Sequence, residues 1–259
     1  MKKVGLALAV AVAATASAHA ADLGAAPAKA RAMVTPFTNW AGLYIGGNVG
    51  YGWGAGDFNL GPSGGVEARP QSMNTHSRGA IGGAQIGYNW QAASFVLGLE
   101  ADIQGSGIRG SAKEPFFNTD ANAFLPGEFL SADQKLSWFG TLRTRLGVAA
   151  TPDLLLYATA GLAYGQVKAS ADTIFVAGPV VLGDYPAAIS RTNAGWTVGA
   201  GTEWMFARNW SAKLEYLYVD LGDVSATVRD ALHPAVPVTA SYTWKTQDHI
   251  VRAGVNYHF

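Results

Sequence analysis

The sequence contains no cysteine. That excludes disulfide-stapled scaffolds and metal centres built on thiolates. It also carries no net charge: 18 Lys and Arg balance 18 Asp and Glu over 259 residues. A nucleic-acid partner is therefore not expected, because neutralising phosphates needs a surplus of cations. Beyond the N-terminal leader no long, uncharged apolar run occurs, whereas a membrane-crossing helix needs about 20 such residues. A chain with these absences is either secreted and soluble or crosses a membrane as strands.

What is abundant is glycine, at 32 residues, together with 11% aromatics. Glycine and aromatics together suit strands that curve tightly and end in ring-bearing anchors. Residues 1–20 have the parts of a signal peptide: Lys2 and Lys3, an apolar stretch from Val4 to Ala14, and the small-x-small cleavage site Ala18-His19-Ala20. The apolar stretch is too short to span about 30 Å of hydrocarbon. Residues 21–38 are rich in Ala and Pro and are expected to be a flexible linker. Residues 39–259 are then the folded domain.

From Trp40 onward the pattern is alternation, the mark of strands with two unlike faces. It recurs in eight segments, at about 40–53, 79–90, 95–106, 135–149, 154–168, 192–206, 210–222 and 248–259. The connections alternate in length. Residues 91–94, 150–153 and 207–209 are tight turns, whereas 54–78, 107–134, 169–191 and 223–247 predict long, partly polar loops. Sorting of short turns to one rim and long loops to the other is a feature of outer-membrane barrels.

The phase of each strand follows from its apolar residues. Phe95, Leu97, Leu99 and Ile103 oppose Glu100, Asp102 and Gln104. Leu136, Trp138, Leu142 and Leu146 oppose Arg143 and Arg145, and Trp196, Val198 and Trp204 oppose Glu203. Leu214, Tyr216 and Tyr218 oppose Lys213 and Glu215, while Val251, Val255, Tyr257 and Phe259 oppose Arg252, Asn256 and His258. Four acids and four bases thus share the less apolar face. Alternation alone does not say which face points inward: a soluble barrel would hide the apolar face, and a membrane barrel the polar one. Three features favour the membrane. Glycines such as Gly46, Gly50, Gly87, Gly98 and Gly161 crowd the polar face, aromatics including Trp40, Tyr51, Trp53, Trp90, Trp138 and Trp204 collect near strand ends, and the last segment ends on Phe259.

The charges facing the lumen have two readings. They line an aqueous channel, or they pair with one another in a filled interior. Eight strands make a barrel only wide enough for side chains to fill, which favours pairing. Glu100 and Asp102 are expected to face Arg143 and Arg145, with Glu203, Lys213, Glu215 and Arg252 as a second cluster. No reaction centre is visible. His76, His233, His249 and His258 lack metal-ligand spacing, and His76-Ser77 and His258 fall at opposite ends of the barrel, so no catalytic triad, cofactor or metal site is expected.

The strings Trp40-Ala41-Gly42-Leu43-Tyr44-Ile45-Gly46-Gly47, Trp138-Phe139-Gly140-Thr141-Leu142-Arg143-Thr144-Arg145-Leu146-Gly147, Leu156-Tyr157-Ala158-Thr159-Ala160-Gly161-Leu162-Ala163-Tyr164-Gly165 and Leu214-Glu215-Tyr216-Leu217-Tyr218-Val219-Asp220-Leu221-Gly222 carry a resemblance. They look like the small outer-membrane β-barrel family of alphaproteobacteria, whose members are called outer-membrane immunogenic proteins, porin-family proteins or opacity-type surface antigens. The resemblance implies an all-β fold, an OmpA-like eight-stranded antiparallel up-and-down barrel, in the outer membrane. The ending Val251 to Phe259 resembles the signature that the barrel-assembly machinery reads, with Val255, Tyr257 and Phe259 on one face. The partners implied are outer-membrane lipid, that machinery, and an external ligand or host surface met by the loops. Three roles stay open: a structural surface protein, a narrow pore for ions or small solutes, and a loop-based adhesin or receptor.

Overall fold

The computed structural model describes residues 39–54, 56–61, 71–118, 123–177 and 179–259. The expected leader, with Ala18 and Ala20, and the expected linker at 21–38 lie outside the described residues. Among those residues there are twelve strands: β1 (Gly42–Gly54), β2 (Asp57–Gly61), β3 (Gln71–Asn74), β4 (Ser77–Ala92), β5 (Phe95–Ser106), β6 (Arg109–Asn118), β7 (Ala123–Thr151), β8 (Leu154–Ala177), β9 (Val180–Asp184), β10 (Ala187–Ala207), β11 (Trp210–Arg229) and β12 (Thr239–His258).

Every pairing is antiparallel, and a closed ring runs β1-β4-β5-β7-β8-β10-β11-β12 and back to β1. The closing ladder extends from Tyr44 opposite His258 to Gly54 opposite Asp248. Next to the short turns closure pairs every ring strand on both sides, whereas farther along residues 187–195 of β10 pair only with β8 and residues 223–229 of β11 only with β12. At one end the strands are joined by two-residue turns, Ala93-Ser94, Pro152-Asp153 and Arg208-Asn209. Ala93 takes a left-handed φ of 54° there.

At the other end the structure departs from expectation. Much of 54–78, 107–134, 169–191 and 223–247, expected as loop, is strand: β7 alone runs 29 residues. The physical reason is an inversion of polarity along the wall. Near the short turns the outward face is apolar, with Leu97, Leu99, Ile103, Leu142, Leu146 and Leu162 exposed, and the inward face is charged. Farther along, the inward face is apolar. Phe58, Leu60, Met73, Leu130, Ala132, Tyr242 and Trp244 fill the interior, and hydroxyl pairs such as Ser225 with Thr243 and Thr227 with Ser241 face out. Both zones alternate with period two, but in opposite senses.

Bulges shift the phase inside two long strands. One lies between Leu136 and Trp138, so that Leu136 is buried inside and does not share the outward face with Leu142 as expected. The other lies between Asp220 and Asp223, where Gly222 has φ 70°. An extra residue at a bulge turns all later side chains to the opposite face.

Candidate functional site

The interior of the ring is stacked in layers. Beside the short turns, Trp40, Val96, Ala149, Leu155, Tyr157 and Met205 form an apolar cluster. Trp40, expected in the outward aromatic set, is instead fully buried and meets the His258 ring edge-on at 5.9 Å. Its backbone N–H donates to Gln91 Oε1 at 2.7 Å, which tethers the chain entering β1 inside the barrel mouth. On the other side of the charges, Ile81, Ile108, Leu136, Phe139, Ala163, Val167, Leu217, Val219 and Ile250 form a second apolar layer.

Between the two layers lie the eight charged residues singled out in the sequence, all buried. Their grouping differs from the one expected. Arg143 donates to Glu100, to Asp102 at 3.0 Å and to Glu215 at 3.0 Å. Arg252 reaches Asp102 at 3.0 Å, and its Nε donates to Glu215 at 2.7 Å. Lys213 Nζ donates to both oxygens of Glu100 at 3.1 Å. Three cations and three carboxylates therefore make one cluster from β5, β7, β11 and β12. Arg145 leaves the company of Glu100 and Asp102 and pairs with Glu203 on β10. The reason lies in the narrow bore. Arg145 stands opposite Gly98 and Arg143 opposite Gly161, so their long side chains extend over bare backbone and across the interior.

Neutral groups hold the ions in place. Tyr44 donates to Glu100 at 2.7 Å, and the Arg145 guanidinium sits 3.6 Å above the Tyr157 ring. The Tyr44 ring in turn lies on Gly87, where an added methyl group would overlap it. Gln85 donates to Asn256 at 2.7 Å, and Asn256 to Glu203 at 2.7 Å. Gln85, Tyr157 and Tyr44 are all buried beside the ions, and Tyr44 was not foreseen from the sequence. It shares its strand face with Gly46 and Gly50, and that parity marks it as inward.

Ser211, His258 and Glu203 also meet. Ser211 Oγ lies 3.0 Å from His258 Nε2, and Glu203 Oε1 lies 3.3 Å from the same nitrogen. Both contacts fall on one ring nitrogen, so the imidazole cannot relay a proton between them as a catalytic triad requires. His76 sits apart, exposed in the β3–β4 connection. Phe259 is exposed beside Tyr257, with ring centroids 5.1 Å apart, and its N–H donates to Leu43 O at 3.0 Å. Val255 is exposed on the same outer face.

Residues 5–259 match the family model described as an outer membrane protein beta-barrel domain. The chain is 38% identical over 241 residues to the 31 kDa outer-membrane immunogenic protein of Brucella melitensis, covering 90% of this chain and 89% of that protein. It is 34% identical over 189 residues to the 22 kDa outer membrane protein of Rhizobium leguminosarum bv. viciae, covering 73% and 68%. Among solved structures, the outer membrane protein OprG from Pseudomonas aeruginosa aligns over 85% of this chain and 97% of its own, at 12% identity and a TM-score of 0.45.

Proposed function

The chain belongs to the outer-membrane β-barrel protein family, and from that premise we propose that it is a non-enzymatic surface protein whose interior is closed by its own ion pairs. It crosses the membrane as eight strands. The two-residue turns face the periplasm, and the polar-faced extension of the wall stands outside the cell. The observation that carries the reading is the balance of buried charge: Arg143, Arg145, Lys213 and Arg252 against Glu100, Asp102, Glu203 and Glu215. Removing an ion from water costs several kcal/mol, so such a set persists only when its members are paired and hydrogen-bonded to one another. With apolar layers above and below, the set fills the bore where a channel would run.

The wall beyond the membrane is the displayed part, in keeping with the immunogenic names of the Brucella relatives. Surface segments on a rigid scaffold are where external contacts are made. Assembly is read from Val255 and Tyr257 on the outer face of β12 and from Phe259 just beyond its end, which are free to touch another protein before the barrel closes. The partners are outer-membrane lipid and the assembly machinery, with no nucleic acid and no cofactor.

A liposome-swelling assay with small sugars, run beside a gel comparing unheated and boiled samples, tests both halves. The expected result is a band that shifts on boiling and vesicles no more permeable than empty ones. Rapid swelling would transfer the chain to the pore reading. Identical bands would remove the barrel.

A further inference from the structure

The outward face changes character along a narrow band where the wall passes from apolar to polar, and one arc of that band is unlike the rest. Four cations stand there in register on neighbouring strands. Arg78 on β4 is opposite Arg109 on β6, Arg109 is opposite Lys135 on β7, and Lys135 is opposite Lys168 on β8. All four are exposed, and none forms an ion pair among the described residues. The row ends at Ser190 on β10, which faces Lys168.

Directly opposite residues on paired strands have Cβ atoms about 4.5–5.5 Å apart, and like charges there are destabilising. Three such contacts in succession therefore cost stability in the isolated chain. An ordinary solvated face would intersperse signs. The four cations line a groove of about 1070 Å³ in the outer wall, shared with His76, Ser111, Ser170 and Ser190, and with Asp133 as its one acid.

The depth of the row points to its occupant. Arg78 is directly opposite Trp53, an exposed outward ring. Trp138 and Tyr164 pack edge-on at 6.0 Å just below Lys135 and Lys168. Trp and Tyr mark the level of lipid headgroups. A groove at that level, lying along the wall, faces a headgroup bound to the same membrane rather than a molecule arriving from solution. Arg and Lys are the side chains that recognise phosphate, Arg by its two-pronged geometry and Lys as a point charge.

We propose that this groove is a binding site for the phosphate groups of an outer-leaflet glycolipid, held by Arg78, Arg109, Lys135 and Lys168 with hydroxyls from Ser111 and Ser190. The bound polyanion relieves the repulsion along the row and fixes the extension against the membrane surface. The proposal rests on the reading that the polar-faced extension lies outside the cell.

The test uses the full refolded chain in zwitterionic micelles, titrated with lipopolysaccharide, with the same material stripped of its phosphates, with inorganic phosphate, and with a soluble sulfated polysaccharide. Binding is counted by native mass spectrometry and by the shift in thermal unfolding midpoint. The wild type should bind lipopolysaccharide and rise in midpoint, and the dephosphorylated lipid should do neither. Arg109→Gln/Lys135→Gln should bind roughly 30-fold more weakly, the effect of two cations at an anionic surface. Without lipid, that variant should unfold no earlier than wild type, because all three like-charge contacts have been relieved; a purely structural role would lower its midpoint. Equal binding of phosphorylated and dephosphorylated lipid would overturn the proposal, and that comparison needs no variant. Saturation by inorganic phosphate alone would reduce the groove to a free-anion site, and saturation by the soluble polysaccharide would make it a receptor surface; either overturns the lipid assignment. A chain whose band does not shift on boiling fails as a barrel altogether. A boiling-sensitive barrel that ignores the phosphates loses this inference alone.

Discussion

Replacing Arg143 by methionine keeps most of the side-chain volume and removes the charge, so it isolates the ion cluster from packing. The guanidinium donates to three carboxylates, on Glu100, Asp102 and Glu215. At about 1.5–3 kcal/mol for each hydrogen bond to a charged group, their sum sets an upper bound of roughly 4.5–9 kcal/mol. The cost should fall below that bound, because no carboxylate is left without a cation. Lys213 still holds Glu100 at 3.1 Å, and Arg252 still holds Asp102 at 3.0 Å and Glu215 at 2.7 Å. Three negative charges would then share two positive ones, which places the loss near the lower end, about 3–5 kcal/mol for breaking a buried pair. Adding Glu215→Gln restores the balance, so the double variant should recover part of the loss, with a coupling of about 0.5–3 kcal/mol. Urea titration in phospholipid vesicles, followed by tryptophan fluorescence, measures all three proteins. A loss for Arg143→Met below about 1 kcal/mol, the range of solvated pairs, would refute the dry, paired interior.

Three other outcomes follow from the same geometry. Gly87→Ala places a methyl group against the Tyr44 ring and should displace its hydroxyl from Glu100, costing about 1–3 kcal/mol by the same titration. In the polar-faced extension, burial and then the hydrogen bond and charge of Asp184 push the Asp172 carboxyl up to about 6. A raised carboxyl pKa favours the protonated fold, so that contribution is complete below about 4, the unfolded value, and lost as pH rises through 6. Hydrogen exchange around Asp172 and Asp184 should therefore be slower at pH 5 than at pH 7.5 after correction for the intrinsic rate, and the Asp172→Asn variant should lose the difference. Phe259→Ala should lower the outer-membrane yield in cells while the purified variant still refolds into micelles; unchanged yield would leave Phe259 only a rim anchor.

Much of the membrane-facing zone was legible in the sequence because two solvents impose two faces on every strand there. Leu97, Leu99 and Ile103 against Glu100 and Asp102 declare the phase without help from neighbours. The extension was not legible for two reasons. Its apolar face turns inward, so Leu130 and Ala132 continue the alternation with the opposite meaning. The bulges at Ser137 and between Asp220 and Asp223 then break the count where the two zones meet. The membership of the charge set could be read from parity, but its grouping could not. Partners such as Arg145 and Glu203, or Arg143 and Glu215, meet across the bore on strands that are not neighbours in the ring. Ladder register constrains adjacent strands only. The cation row was hidden for a related cause: Arg78, Arg109, Lys135 and Lys168 are far apart in sequence and become a row only once β6 is inserted between β4 and β7.

The central claim, a bore filled by its own ion pairs, is tested most directly by the current through single wild-type molecules in a planar bilayer. The filled interior predicts no steady conductance above the bare membrane, with brief openings at most. A steady current, whose ion selectivity changes when Arg143 becomes methionine, would contradict it.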